Sequence, residues 1–385
     1  VIPTYESDQP IDVATAADAD RDAARRRKRT VTGIAALTVA VICLFLASIL
    51  PSGFVIRQPG PVVNTLGVVQ DTDGNEIPLI EMPEDIQTYE TSGTLSLTTV
   101  QIVGSRESTP NWFQLAQAWL DPSKAVMDID QVFPQDQTAE ERQEQDAMQM
   151  TSSQESATAA ALIQLGYDIP TEMQILEVTQ DGASVGKLEL GDVVNSIDGT
   201  AVADVLEMRE VIARGEGADV TVNITRDGET QDVVITPTQG EADGETLWLI
   251  GVGAAPVYEL PFDVQIMLEN IGGPSAGMMF ALGIIDTLTP GEMTGGEAIA
   301  GTGTITPDGT VGPIGGIQQK MQGALRAGSD FFLAPESNCN EVVGHVPDGL
   351  TVVKVSTLDE ARDAVETIGD GDEVAIAALA TCTAP

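Results

Sequence analysis

Histidine is nearly absent from this chain: its 385 residues hold one, His345, in the segment VVGHVPDG. One histidine rules out histidine metal clusters and an H-E-x-x-H site. A Ser-His-Asp triad would have to use His345, which sits in a Gly/Pro-flanked, loop-like stretch. Cysteine is scarce too, with three residues and no metal-ligand spacing among them. Aromatic residues make up 4%. Basic residues number 18 against 59 acidic ones, for a net charge of −41. Residues 1–50 carry equal numbers of both signs, so the excess falls on the remainder. Such a surface repels nucleic acid and anionic lipid headgroups, and reads as a solvated, solubilising face. No G-x-x-x-x-G-K-[ST] loop occurs, so no ATP site is expected. Nothing in the composition calls for a metal or another cofactor.

Val31–Leu50, VTGIAALTVAVICLFLASIL, is a run of 20 residues without a charge. At ~1.5 Å per residue, a helix of that length reaches across a ~30 Å hydrocarbon layer. The run follows the basic residues Arg25–Arg29, and such residues favour the cytoplasmic side. The expectation is a single-pass transmembrane helix in the cell membrane. Residues 1–30 would form a disordered cytoplasmic tail, and everything after Leu50 would be extracytoplasmic. A cleaved signal peptide competes with this reading, but LASILPSG is a poor A-x-A-like cleavage site. Outside the cytoplasm disulfides persist. Cys339 and Cys382 then form either a bridge that pins the tail of residues 369–385, or two free thiols.

Residues 51–136 read as β-rich, with short apolar or alternating runs between Gly/Pro punctuation. Residues 137–166 read as one helix. Thr138 and Glu141 form a capping box, and Gly166 stops it. Its many Gln and Glu residues suggest a solvated connecting arm. Residues 167–240 follow as a compact module. MQILEVTQDGASVGKLELGDVVNSIDGTAV gives strand, turn, short helix and strand, VADVLEMREVIARGEG an amphipathic helix, and DVTVNITRDGETQDVVITP a hairpin turning at Asp227-Gly228. This order, with KLELGDVVNSIDG, resembles a circularly permuted bacterial PDZ domain. The resemblance implies capture of an extended peptide by strand addition, its carboxylate resting on a loop near Leu165, Gly166 and Tyr167. A PDZ fold can also serve as a rigid spacer.

IGGPSAGMMFALGIIDTL places Ser275 between glycines and an apolar run of helical length. The serine could cap that helix. As a nucleophile it needs a base. With histidine so scarce, the candidate base is Lys320, in PIGGIQQKMQGALRAG, at the start of a helix that follows Gly315-Gly316. A first turn disfavours a charged amine, because the helix dipole is positive there. A free lysine titrates near ~10.4, so a base working at neutrality needs a drop of about three units, roughly 4 kcal/mol, which desolvation can supply.

Here a second resemblance enters. GGPSAG, followed by AGTGTITPDGTVGPIGGIQQKMQGALRAGSDFFLAPESN, is similar to the proteolytic domain of Lon proteases over about residues 245–368. It implies an α+β protease domain over residues 241–368 with Ser275 as nucleophile, Lys320 as general base and Thr302 orienting the amine. Backbone around Gly272, Gly273 and Pro274 would serve the oxyanion and the substrate chain. Many Lon domains carry Asp where this chain has Gly272. The order of anchor, PDZ domain and Lon-like domain resembles the membrane-anchored PDZ-domain Lon-like proteases of Gram-positive bacteria. The implied whole is an α+β multidomain protein and an ATP-independent serine endopeptidase. It would be tethered through Val31–Leu50 and would cleave unfolded or exposed segments of membrane or exported proteins, which the PDZ domain would present. Lon protease domains form hexameric rings, so a homo-oligomer is implied as well. The alternative is a membrane-anchored PDZ adaptor whose Lon-like domain is a scaffold.

Overall fold

The computed structural model describes residues 13–70, 74–134, 138–202, 205–242, 245–268 and 271–383. The chain divides into two compact units, Val1–Pro59 with Gln101–Gln137, and Gly60–Val100 with Thr138–Pro385.

In the first unit, Val13–Ile49 forms one 37-residue helix. The start of the Phe54–Asn64 strand pairs antiparallel with Ala125–Asp128. A short helix, Trp112–Trp119, is capped by Asn111 and Gln114 in reciprocal hydrogen bonds. Ile56, Leu115 and Ala118 make a small core there.

Two expectations are corrected by this unit. Residues 13–30 are helical rather than disordered, and residues 1–12 lie outside the described residues. Among the described residues no helix is long and apolar enough to cross a membrane. The expected single-pass span at Val31–Leu50, and with it the expected cell-membrane localisation with a cytoplasmic N-terminus, is therefore not supported. The uncharged run is not an element of its own. It continues a helix whose first half carries Arg21 and Arg25–Arg29. The hydroxyls of Thr30 and Thr38 bond back to the carbonyls of Arg26 and Ile34.

The second unit is built on a parallel ladder. Thr94–Val103 pairs with Ala298–Gly301, that strand with Phe331–Pro335, and the last with Thr351–Val355. Thr94–Val103 precedes the PDZ module and its ladder partners follow it. The β-rich region is thus not separate from the later part of the chain, since its strand Thr94–Val103 lies in the same sheet as Ala298–Gly301. The helix Gly277–Leu288 is buried from Gly277 to Asp286, as a sequence apolar on every face requires. It packs with Leu95, Leu97, Ile299, Leu333 and Val353 in the main core.

The Ala139–Gln164 helix begins at the expected Thr138–Glu141 capping box and ends at Leu165. It is not a solvated arm. Ala157, Ala159, Ala160, Ala161 and Leu162 are buried, because its second half carries small residues that allow close approach. The tail holds a short helix, Glu373–Ala377, and Cys382 is bonded to Cys339.

Between these elements lies a five-strand antiparallel path in the order Glu229–Ile235, Val220–Arg226, Val193–Ile197, Thr171–Val178, Val252–Tyr258. The Val205–Arg214 helix contributes Met208, Val211 and Ile212 to its core. The hairpin turns at Asp227-Gly228, both at positive φ, as the strand twist requires. This module extends past residue 240, to Tyr258. It is an insertion: the chain packs against the main core up to Leu165 and returns to it at Val264.

Candidate active site

Ser275 caps nothing. The N-cap of the Gly277–Leu288 helix is Ala276, with no side-chain capping bond. The serine is half-buried, and its Oγ lies 2.8 Å from Lys320 Nζ. Nζ is also 2.7 Å from Thr302 Oγ1. Lys320 is 1% exposed and Thr302 fully buried. The structure therefore brings together the three side chains expected to carry chemistry, from three separate segments.

Each segment has a local reason for its place. Lys320 sits on the Ile317–Arg326 helix, and its amide closes the first turn on the Gly316 carbonyl. Gly316 starts that helix at φ +74°, a conformation that favours glycine. The turn ahead of it is fixed by buried Asn338, whose amide both accepts from Ile314 N and donates to Ile314 O at 2.9 Å. Thr302 ends the Ala298–Gly301 strand. Its hydroxyl donates to the Ser275 carbonyl at 2.9 Å, and the Gly303 amide donates to the same oxygen at 2.9 Å.

A hydroxyl has one proton. Thr302 gives its proton to Ser275 O, so towards Nζ it can only accept. Nζ then directs an N–H at Thr302. A neutral amine in that pose keeps its lone pair for the Ser275 hydroxyl. Burial favours the neutral form, because it removes the water that would solvate an ammonium.

The expected oxyanion segment is placed differently. The Gly273 amide donates to the Asp146 carbonyl at 3.1 Å and is thus engaged. Pro274 has no N–H to offer. The Ser275 and Ala276 amides donate to no backbone carbonyl among the described residues. A Cβ at Gly272 would lie 2.7 Å from Asp146 Cβ, so glycine is required there by the helix above it. Asp146 and Ser153, both on the Ala139–Gln164 helix, were not legible as neighbours of the site. Their signal is a helical stripe of small and polar residues that carries no apolar period.

Leu165, Gly166 and Tyr167 lie far from this cleft in role. Their amides close the Ala139–Gln164 helix by bonding to Ala161, Ile163 and Leu162 carbonyls, and the Tyr167 ring packs edge-on against Phe262. They are a helix terminus with engaged amides. The two outer strands of the five-strand path are Glu229–Ile235 and Val252–Tyr258. His345 is exposed in its loop. Among the described residues no group of His, Cys, Asp and Glu is arranged to hold a metal.

Residues 270–366 match the Lon protease (S16) C-terminal proteolytic domain, and residues 147–236 match the PDZ domain. The Lon protease of Azospirillum brasilense is 30% identical over 186 residues, 46% of this chain and 22% of that protein. Lon protease 1 of Bacillus subtilis (strain 168) is 30% identical over 189 residues, 46% of this chain and 24% of that protein. The chain thus spans about a quarter or less of the length of these curated relatives. Among solved structures, the PDZ domain of an SdrC-like protein from Listeria innocua aligns at 21% identity and a TM-score of 0.20, covering 22% of this chain and 92% of that one. The chain carries a Lon-type proteolytic domain and a PDZ domain.

Proposed function

We propose that this protein is a serine endopeptidase in which Lys320 activates Ser275. The observation that supports it most is the buried Nζ within 2.8 Å of Ser275 Oγ and 2.7 Å of Thr302 Oγ1. In the first step the Ser275 hydroxyl attacks a peptide carbonyl and passes its proton to neutral Nζ. The tetrahedral oxyanion is met by the Ser275 and Ala276 amides at the start of the Gly277–Leu288 helix. The resulting ammonium returns the proton to the leaving amine, and an acyl-enzyme remains. Water then attacks the ester with the same lysine as base, releasing the acid and restoring Ser275. Thr302 keeps the amine aimed throughout.

The substrates that fit are flexible or unfolded polypeptide segments. The chain itself carries no P-loop, so the cleavage proposed for it needs no nucleotide. The PDZ module presents peptide at the outer edge of Val252–Tyr258, a strand that leads into the segment before Ser275. The Ser275–Lys320 contact favours this reading over a scaffold without catalysis. The test is turnover of an unfolded protein substrate by the native enzyme, Ser275→Ala and Lys320→Ala. Both variants should lose about 10³-fold or more in rate. Near-native turnover by either one would rule out the dyad.

A further inference from the structure

The Ala139–Gln164 helix meets the nucleophile loop along one stripe. Asp146, Met150, Ser153 and Ala157 follow the spacing of a single helical face. Met150 and Ala157 are anchored in the main core, beside Ala276 and Met278. Between them Ser153 is 6% exposed, and its hydroxyl donates to the Pro274 carbonyl at 3.0 Å. The Asp146 carbonyl takes the Gly273 amide at 3.1 Å. A Cβ at Gly277 would lie 3.0 Å from Ser153 Oγ, so this hydroxyl is wedged between the loop and the first turn of the next helix. The Ser275 carbonyl is held by Thr302 and Gly303, on another segment. Three consecutive residues, 273–275, are therefore tied down by two different segments.

We infer that Ser153 is a positioning residue for Ser275; this rests on the Ser-Lys reading above. The Pro274–Ser275 peptide carries the nucleophile, and the Ser153 bond sets the rotation of that peptide. Releasing it lets Ser275 Oγ drift from its line between Lys320 and the substrate. A misplacement of about 1 Å can cost up to about 10²-fold in rate. The Ser153 hydroxyl bonds to the Pro274 carbonyl, whereas the Lys320 amine meets the Ser275 and Thr302 hydroxyls, so the ionisation of the base should stay as it is.

The test is steady-state kinetics on an unfolded peptide substrate, across pH, for Ser153→Ala, Ser153→Thr and Ser153→Val, with Ser275→Ala alongside. Ser153→Ala should lower kcat about 10-fold, leave KM within about 2-fold, and keep the native midpoint of the pH profile. Ser153→Thr should restore most of kcat, and its isostere Ser153→Val should not. The Thr/Val pair reads the hydroxyl alone even if Ser153→Ala fails to fold. A native kcat in Ser153→Ala, or equal kcat in the Thr and Val variants, would overturn the positioning role while leaving an inactive Ser275→Ala to uphold the dyad. Turnover by Ser275→Ala would remove the dyad and this inference with it.

Discussion

Asp192 in the PDZ module and Lys320 in the catalytic cleft are each 1% exposed, yet their partners are of opposite kinds. Asp192 meets the Arg226 guanidinium in a fork, Nε to Oδ1 and Nη2 to Oδ2, both at 2.6 Å. It also accepts the Glu189 amide at 2.8 Å. Burial by itself would push this carboxyl up, but Arg226 and the Glu189 amide outweigh it and hold the carboxyl below its usual range. Lys320 meets the hydroxyls of Ser275 and Thr302. These two oxygens belong to uncharged groups. A charge that only holds a fold is best cancelled in place, whereas an amine that must gain and lose a proton cannot be tied to a carboxylate at its catalytic face.

Exchanging the two cations separates these roles most sharply. Arginine cannot lose its proton in a protein. Lys320→Arg should therefore lower kcat/KM by about 10⁴-fold with the fold retained, whereas Arg226→Lys, remote from the dyad, should change peptide turnover only a few-fold. Steady-state assays with circular dichroism on both variants check this. A Lys320→Arg enzyme holding a tenth of native activity would break the comparison.

Removing the PDZ cation altogether comes next in size. Arg226→Ala leaves Asp192 as a buried carboxylate without its ion partner, which costs about 3–5 kcal/mol. Denaturant melts should show this loss at neutral pH. The sign with pH follows from the lowered carboxyl. Its stabilisation is present above the unfolded carboxylate value of ~3.9 and is lost as pH falls through the folded value. The gap between native and Arg226→Ala should therefore close in acid. A gap that persists after Asp192 is protonated would mean that Arg226 acts by packing.

The same contrast explains what could be read from residue order. The hairpin at Asp227-Gly228, the capping box at Thr138 and Glu141, and the apolar run behind Ser275 are local patterns, and each forms where its spacing places it. The pairing of Thr94–Val103 with Ala298–Gly301 is not local, and the inserted PDZ module hides it. The same holds for Asp146 and Ser153 above the nucleophile loop, which belong to a helix whose Gln and Glu content mimics a solvated arm. The span expected at Val31–Leu50 is a different case: the run lies inside the longer Val13–Ile49 helix, and no spanning helix is found among the described residues. Ser275 and Lys320 stood out because both sit in glycine-rich segments whose other residues leave little room for alternative chemistry.

Asp286 gives the smallest effect and extends the comparison to a carboxylate on the catalytic side. It is fully buried on the Gly277–Leu288 helix. Its Oδ1 accepts the Met293 amide at 3.2 Å, and its Oδ2 has no hydrogen-bond partner among the described residues. Burial pushes this carboxyl up to about 6; the Met293 amide offsets part of that rise, and Glu292 adds to it. Between about pH 4 and 6 the folded state then binds more protons than the unfolded one, so this group's contribution to stability falls as pH rises through that window and stays low above it. The ionised form costs roughly 3 kcal/mol by that shift. Asp286→Asn keeps the acceptor for Met293 and removes the charge, at the expense of an unpaired amide worth about 1–2 kcal/mol. The net expectation is a gain of about 1 kcal/mol at pH 8 that disappears by pH 4, read from denaturant melts at the two pH values. An equal effect at both would show that the carboxyl is neutral throughout, and that the catalytic side tolerates no more uncompensated charge than the PDZ module does.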